Sequence, residues 1–205
     1  MAGIDHIVYA SPDVEVGVRR IADLTGVEAV VGGSHVGRGT RNSLLTFDDR
    51  TYFEIIGIDH DQPEPNQARP FGLDDVTEPG IVAWAIHPSG AESIEDVVAT
   101  MASAGFDPGP VAGMSRAKPD GSILSWRLTT SPPDGIVPFV IDWGQADSPA
   151  MSLPSMGGLS SFTVSHPELA VRQTISDLID GVTVTDGEPG LAVEVATVNG
   201  TIRLV

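Results

Sequence analysis

Two ionisable side chains stand in this sequence where burial is expected, and both have the chemistry of a reaction centre. His6 lies in GIDHIVYA, residues 3–10, a run that reads as a buried β-strand. Side chains alternate along a strand, so Ile4, His6 and Val8 are expected on one face and Asp5, Ile7 and Tyr9 on the other. The imidazole then points with two aliphatic groups toward a core or a cavity. Glu54 lies in TYFEIIG, residues 51–57, on a strand face shared with Tyr52 and Ile56. A carboxylate there is costly to bury unless it is paired or bound to a metal. The residues leave two readings open: a buried hydrogen-bonded pair, or groups that do acid–base or metal chemistry.

Further candidates lie in loops and on other strands. GGSHVGRGTRN, residues 32–42, holds His35, Arg38, Thr40, Arg41 and Asn42. It lacks the terminal Gly-Lys-Ser/Thr of a phosphate loop, and its glycine spacing misses the dinucleotide fingerprint. Two of the chain's 11 basic residues in one glycine-rich loop point to a clamp on a ligand carboxylate or phosphate, with Thr40, Arg41 and Asn42 as substrate contacts. The alternative is that these arginines pair with surface acids. His35 is a candidate third metal ligand. SRAKPDG, residues 115–121, adds Arg116 and Lys118, either as a second cationic patch or as a solvated hairpin tip. Trp84, Trp126 and Trp143 fall on strands, where they form core or an aromatic wall; Trp84 and Trp126 are expected to meet a substrate. His87 and His166 each precede a proline at strand-to-helix turns, and His60 sits in a linker, so none of the three reads as a site residue.

The elements that must position these groups repeat. IVYASPDVEVGVRRIADLTG, VAWAIHPSGAESIEDVVATMASAG and SFTVSHPELAVRQTISDL each read as strand, Ser-Pro or His-Pro, then helix. Apolar residues recur at helical spacing: Val14, Val18 and Ile21; Ile94, Val97, Val98 and Met101; Val171, Ile175 and Leu178. Three strand-like runs follow the first helix and three the second, so the pattern βαβββ occurs twice. A third, shortened copy closes with AVEVATV and TIRLV. The boundaries are module one 3–57, a Pro-, Asp- and Gln-rich linker 58–79, module two 80–144, and a partial third module 158–205. The fold class is α+β in one compact body, because each βαβββ sheet leaves an apolar face that needs a partner.

Composition removes several functions. Twenty-eight acidic residues against 11 basic ones give a formal charge of −17, which repels nucleic acid and anionic membrane surfaces. Without cysteine there are no disulfides or thiolate metal sites, so any metal must use imidazole or oxygen ligands. No signal-like segment precedes the first strand and no run approaches the roughly 20 apolar residues of a membrane span, so a cytoplasmic protein is expected.

Paired βαβββ units opened by GIDHIVYA and closed by TYFEIIG resemble the vicinal oxygen chelate superfamily. GGSHVGRGTRN, RPFG (residues 69–72), KPDG (118–121) and PFVIDWG (138–144) are similar to its glyoxalase-like branch. The resemblance covers most of Gly3 to Gly144 and implies the glyoxalase/bleomycin-resistance fold, in which two modules form a cup holding a divalent metal. It implies His6 and Glu54 as first-module ligands and catalytic groups, with Zn, Ni, Mn or Fe as the ion. At the matching second-module positions stand Ala83 and Ile141, with Asp142 one residue away from the expected place. The resemblance further implies a lyase or isomerase that polarises a small oxygenated, anionic metabolite, with Arg41, Asn42 and Arg116 orienting it. The rival is a metal-free small-molecule binding or resistance-type protein using the same cup. Pairing as a homodimer is also implied.

Overall fold

Alternating apolar residues form the strands that the repeats predict. In the computed structural model, which describes residues 2–48, 50–117, 123–130 and 135–205, module one is β1 (Gly3–Ala10), α1 (Val14–Thr25), β2 (Val30–His35), β3 (Thr40–Thr46) and β4 (Tyr52–Ile58). Module two is β5 (Gly80–His87), α2 (Ile94–Ser103), β6 (Val111–Ala117), β7 (Ile123–Thr129) and β8 (Phe139–Asp142). Helix starts follow local chemistry. Asp13 accepts from the Glu15 N–H at 2.8 Å, and Ser93 and Asp96 form a reciprocal capping box.

The two modules share one eight-stranded sheet in the order β2-β3-β4-β1-β5-β8-β7-β6. Within each module the first and last strands pair in parallel, and β1 joins the modules through antiparallel pairing with β5. The outermost strands β2 and β6 approach each other, so the sheet curls into a cup. Val8, Ala10, Ile56, Ala83, Ala85, Phe139 and Ile141 line its inner face. Ile7, Tyr9, Phe53, Ile55, Trp84 and Ile86 point to the outer face, where α1 and α2 cover them.

Strict alternation fails at Asp5. Ile4 pairs with Ile86 while His6 pairs with Ala85, the next residue along β5, so Asp5 is an extra residue in a β-bulge. One inserted residue changes the parity, and Ile4 turns to the outer core with Ile7 and Tyr9 while His6 and Val8 face the cup. The expectation that Ile4 shares a face with His6 is corrected accordingly.

The third copy is β9 (Gly158–Ser165), α3 (Leu169–Leu178), β10 (Thr183–Thr185), β11 (Gly190–Thr197) and β12 (Gly200–Leu204). It keeps the βαβββ element order but joins its strands as β10-β9-β11-β12, a separate four-stranded sheet. Its Phe162, Val164, Val193 and Val195 pack into the outer core, where Phe162 meets Trp84 edge to face at 5.1 Å. The unit thus seals the outer face of the main sheet. No helix among the described residues is long and apolar enough to cross a membrane.

Two outcomes test this packing. Phe162→Ala is expected to cost about 3–5 kcal/mol by opening a cavity between the two sheets, read by urea denaturation. Asp142 turns out of the cup and accepts from the Arg127 guanidinium at 2.8 Å, which holds its carboxyl below the ordinary range. A depressed carboxyl stabilises the fold above its unfolded pKa and loses that contribution as pH falls through the folded value. Asp142→Asn should therefore cost under about 1 kcal/mol at pH 7, since the pair is partly exposed. The gap to the parent should close in acid below the usual carboxyl range.

Candidate functional site

Strands β1, β3 and β4 lie side by side, and that adjacency assembles the polar wall of the cup. Tyr52 of β4 sits in register with His6, and their rings stack at 4.4 Å with an interplanar angle of 17°. Glu54 lies one pleat further along β4, so its carboxylate comes alongside the imidazole. Glu54 Oε2 stands 3.6 Å from His6 Nε2, and the two residues are 6% and 2% exposed.

The bulge supplies a second carboxylate. Asp5 Oδ1 lies 2.7 Å from His6 Nδ1, and Asp5 Oδ2 accepts from the Trp143 indole N–H at 3.0 Å. With the Nδ1 proton committed to Asp5, Nε2 is the imidazole atom that faces Glu54. A separation of 3.6 Å exceeds a direct hydrogen bond, so a proton-bearing or cationic species fits between the two atoms.

Glu54 is held from its other side. Asn42 of β3 donates through Nδ2 to Glu54 Oε1 at 2.6 Å, and the same amide nitrogen lies 3.3 Å from His35 Nε2. His35 Nδ1 meets Thr40 Oγ1 at 3.0 Å. Asn42 fits because residue 32 is glycine: a Cβ at Gly32 would stand 2.1 Å from Asn42 Oδ1. Two polar runs thus meet across the 3.6 Å gap, one from Trp143 through Asp5 to His6 and one from Thr40 through His35 and Asn42 to Glu54.

These runs border a cleft of about 240 Å³. Trp126, Trp143, Leu128, Phe139 and Ile141 supply the apolar wall from module two, and Met114 adds to it from β6. The linker folds over the mouth. Arg69 donates to the Gly39 carbonyl at 3.0 Å and pairs with Glu64 and Asp74, fixing the turn that brings Phe71 over the cleft. Phe71 adopts a left-handed backbone, φ 59°, and its ring rests 5.7 Å from Phe139. That conformation costs a non-glycine residue roughly 1 kcal/mol, which the surrounding contacts must outweigh.

His6, Glu54, Thr40, Asn42, Trp126 and His35 of the sequence-derived candidates converge here. Others do not. Arg41 alternates to the opposite face of β3 and pairs with Glu15 of α1, so it is no clamp on the cup. Trp84 is fully buried in the outer core, donating its indole N–H to the Ile136 carbonyl at 3.0 Å. Lys118 lies outside the described residues, as does the side chain of Arg116. His87 and His166 bond to the turns they occupy, His87 at the Pro88 carbonyl and His166 at the Glu168 N–H. Sequence reasoning missed Asp5, because alternation assigned it to the wrong face, and Phe71, because a linker without apolar period carries no register.

The donor set for a metal is a pair. His6 Nε2 and Glu54 Oε2 are a borderline nitrogen and a hard oxygen, suited to Zn²⁺, Fe²⁺, Mn²⁺ or Ni²⁺, and Asp5 orients the imidazole as carboxylates do for metal-bound histidines. Donors on one ion at bonds of about 2.1 Å stand roughly 3–3.5 Å apart, so the pair fits two positions of one ion with little movement. Among the described residues no group of three His, Cys, Asp or Glu could hold an ion. Further ligands would be water or substrate oxygens.

Comparison with known proteins agrees with the architecture. A family model described as a glyoxalase-like domain matches residues 4–179. No curated protein matches the chain. Among solved structures, a hypothetical protein from Staphylococcus aureus is 16% identical with a TM-score of 0.62, covering 92% of this chain and 88% of that one. A methylmalonyl-CoA epimerase from Mycobacterium tuberculosis is 19% identical with a TM-score of 0.40, covering 68% and 85%. BphC, a halotolerant catechol dioxygenase, is 11% identical with a TM-score of 0.47, covering 96% and 71%. At 16% identity the likeness to the Staphylococcus aureus protein bears on the fold alone.

Asn42→Ala leaves Glu54 Oε1 buried without its donor. It should lower stability by about 1–3 kcal/mol in urea melts, whereas Arg41→Ala, whose ion pair with Glu15 is partly exposed, should change it by about 1 kcal/mol or less.

Proposed function

Because the chain belongs to the glyoxalase-like domain family of the vicinal oxygen chelate superfamily, we propose that it is a lyase or isomerase that moves a carbon-bound proton in a small oxygenated molecule. The observation that carries this reading is the 3.6 Å apposition of His6 Nε2 and Glu54 Oε2 in the wall of a mostly apolar cleft, each group oriented from behind. Asn42 engages Glu54 Oε1, leaving Oε2 to accept a proton from a carbon beside a carbonyl. The electron pair then moves onto the carbonyl oxygen, giving an enediolate-like intermediate. His6 Nε2, its ring proton donated from Nδ1 to Asp5, is placed to take the proton of the neighbouring hydroxyl and pass it to that oxygen. Returning the proton from Glu54 to the former carbonyl carbon completes an isomerisation; departure of a group from the carbon flanking the deprotonated one on the side away from the carbonyl, taking the Glu54 proton with it, completes a lyase reaction. The apolar wall excludes water, which strengthens these charge interactions. A divalent ion held by His6 and Glu54 would stabilise negative charge on the substrate oxygens, and Glu54 would then act as base only when released from the ion.

The second reading, a metal-free small-molecule binding protein, is favoured by Ala83, Ala85 and Ile141 on the cup face of module two, where a complete chelate would need donors.

One experiment separates the two. The protein, alone and with Zn²⁺, Ni²⁺, Mn²⁺ or Fe²⁺, is incubated in D₂O with a panel of hydroxyketones and thiol adducts of ketoaldehydes, and solvent deuterium entering carbon positions is followed by NMR. The parent should catalyse exchange, and Glu54→Gln should slow it by roughly 10²–10⁴-fold. Exchange that survives Glu54→Gln removes the assigned base. Saturable binding without exchange selects the binding protein. Metal content by mass spectrometry, compared between the parent and His6→Ala, tests the ion separately; an ion retained undiminished without His6 would refute the donor pair.

A further inference from the structure

Resting on the reading of this cup as a small-molecule site, we propose that its ligand is bipartite: a neutral oxygenated end at His6 and Glu54, and an anionic end held at the mouth by Arg38. The interior polar wall already carries two carboxylates, Asp5 and Glu54, beside the imidazoles of His6 and His35. A further negative charge buried there would meet like charges in a low dielectric, so the reacting end of the ligand is uncharged.

The mouth has the opposite character. Arg38 is the only arginine or lysine among the described residues that line the cleft, and it also lines a second, outer depression of about 260 Å³ beside Asn66 and Gln67. The other arginines near the cup are committed to carboxylates: Arg41 to Glu15, Arg69 to Glu64 and Asp74, and Arg127 to Glu95 and Asp142. Arg38 has no ion-pair partner among the described residues. An unneutralised guanidinium at a cleft mouth on a chain of charge −17 is a local attractor for anions that the rest of the surface repels.

The position follows from the chain. Arg38 lies in the turn between β2 and β3, where its N–H donates to the His35 carbonyl at 2.9 Å and Gly37 and Gly39 adopt left-handed φ of 77° and 63°. The Gly37 N–H is in turn bonded to Gln62 Oε1 at 3.1 Å, so the turn is tied to the linker that forms the outer depression. Phe71, Trp126 and Leu128 line the same cleft as Arg38 and the His6–Glu54 pair and give it an apolar wall. A carboxylate, sulfonate or phosphate joined through an apolar or aromatic body to a hydroxy-carbonyl group matches this set of surfaces.

The test uses two dyes of nearly equal shape: 8-anilinonaphthalene-1-sulfonate, which carries one anionic group, and N-phenyl-1-naphthylamine, which carries none. Fluorescence titration of the parent should give one site for each. Arg38→Ala should weaken the sulfonate roughly tenfold, Arg38→Glu more, and neither should move the neutral dye; added salt should weaken the sulfonate in the parent alone. The proposal is overturned if the parent binds neither dye, if Arg38→Ala leaves the sulfonate affinity unchanged, or if it weakens both dyes equally. Failure of the proton-transfer reading would appear as deuterium exchange insensitive to Glu54→Gln. That result leaves the dye comparison intact, so the two failures are distinguishable.

Discussion

The geometry of the cup depends on one strand and one extra residue in it. β1 lies at the middle of the eight-stranded sheet, paired in parallel with β4 and antiparallel with β5, so it joins the two modules and carries His6 at the junction. Asp5 is inserted by a bulge into the β1–β5 ladder. Without it, alternation would leave Asp5 on the opposite face from His6. With it, the carboxylate reaches Nδ1 and fixes which imidazole nitrogen faces the cleft.

Burying charge in this way demands reciprocity. Asp5, His6 and Glu54 are all nearly solvent-free, and each is tolerated because its neighbours complete its bonding: Trp143 on Asp5, Asp5 on His6, Asn42 on Glu54. The Glu54 oxygen left over, Oε2, is turned toward His6 Nε2, and that gap is where the site has unspent binding capacity. Module two contributes shape rather than donors. Its cup face is Ala83, Ala85, Phe139 and Ile141, so the site is polar on one side and apolar on the other. The same division separates a buried acidic interior from a cationic mouth at Arg38.

The third copy addresses a different problem. Helices α1 and α2 cover only part of the outer face of so wide a sheet. The C-terminal sheet adds Phe162, Val164 and Val193 to the same core, with Phe162 against Trp84. Its altered strand order is consistent with that role, since a cover needs one apolar face and not a second cup.

Much of this was legible in the residues. Helical periodicity and strand alternation located every long element of the two modules, because these patterns report local backbone geometry and one-sided burial. The inward positions of His6 and Glu54 follow from the same parity. Arg41 is misplaced when the glycine-rich stretch is read as a loop, because Thr40, Arg41 and Asn42 are consecutive on β3; Thr40 and Asn42 take the cup and Arg41 finds Glu15 on α1. Trp84 is misassigned because an indole is equally suited to a core and to a ligand wall. The bulge at Asp5, the folding of the linker that lays Phe71 over the cleft, and the isolation of Arg38 at its mouth were settled by tertiary structure alone. Each depends on which strand lies beside which and which carboxylates lie within reach, and those are contacts between residues far apart in the chain.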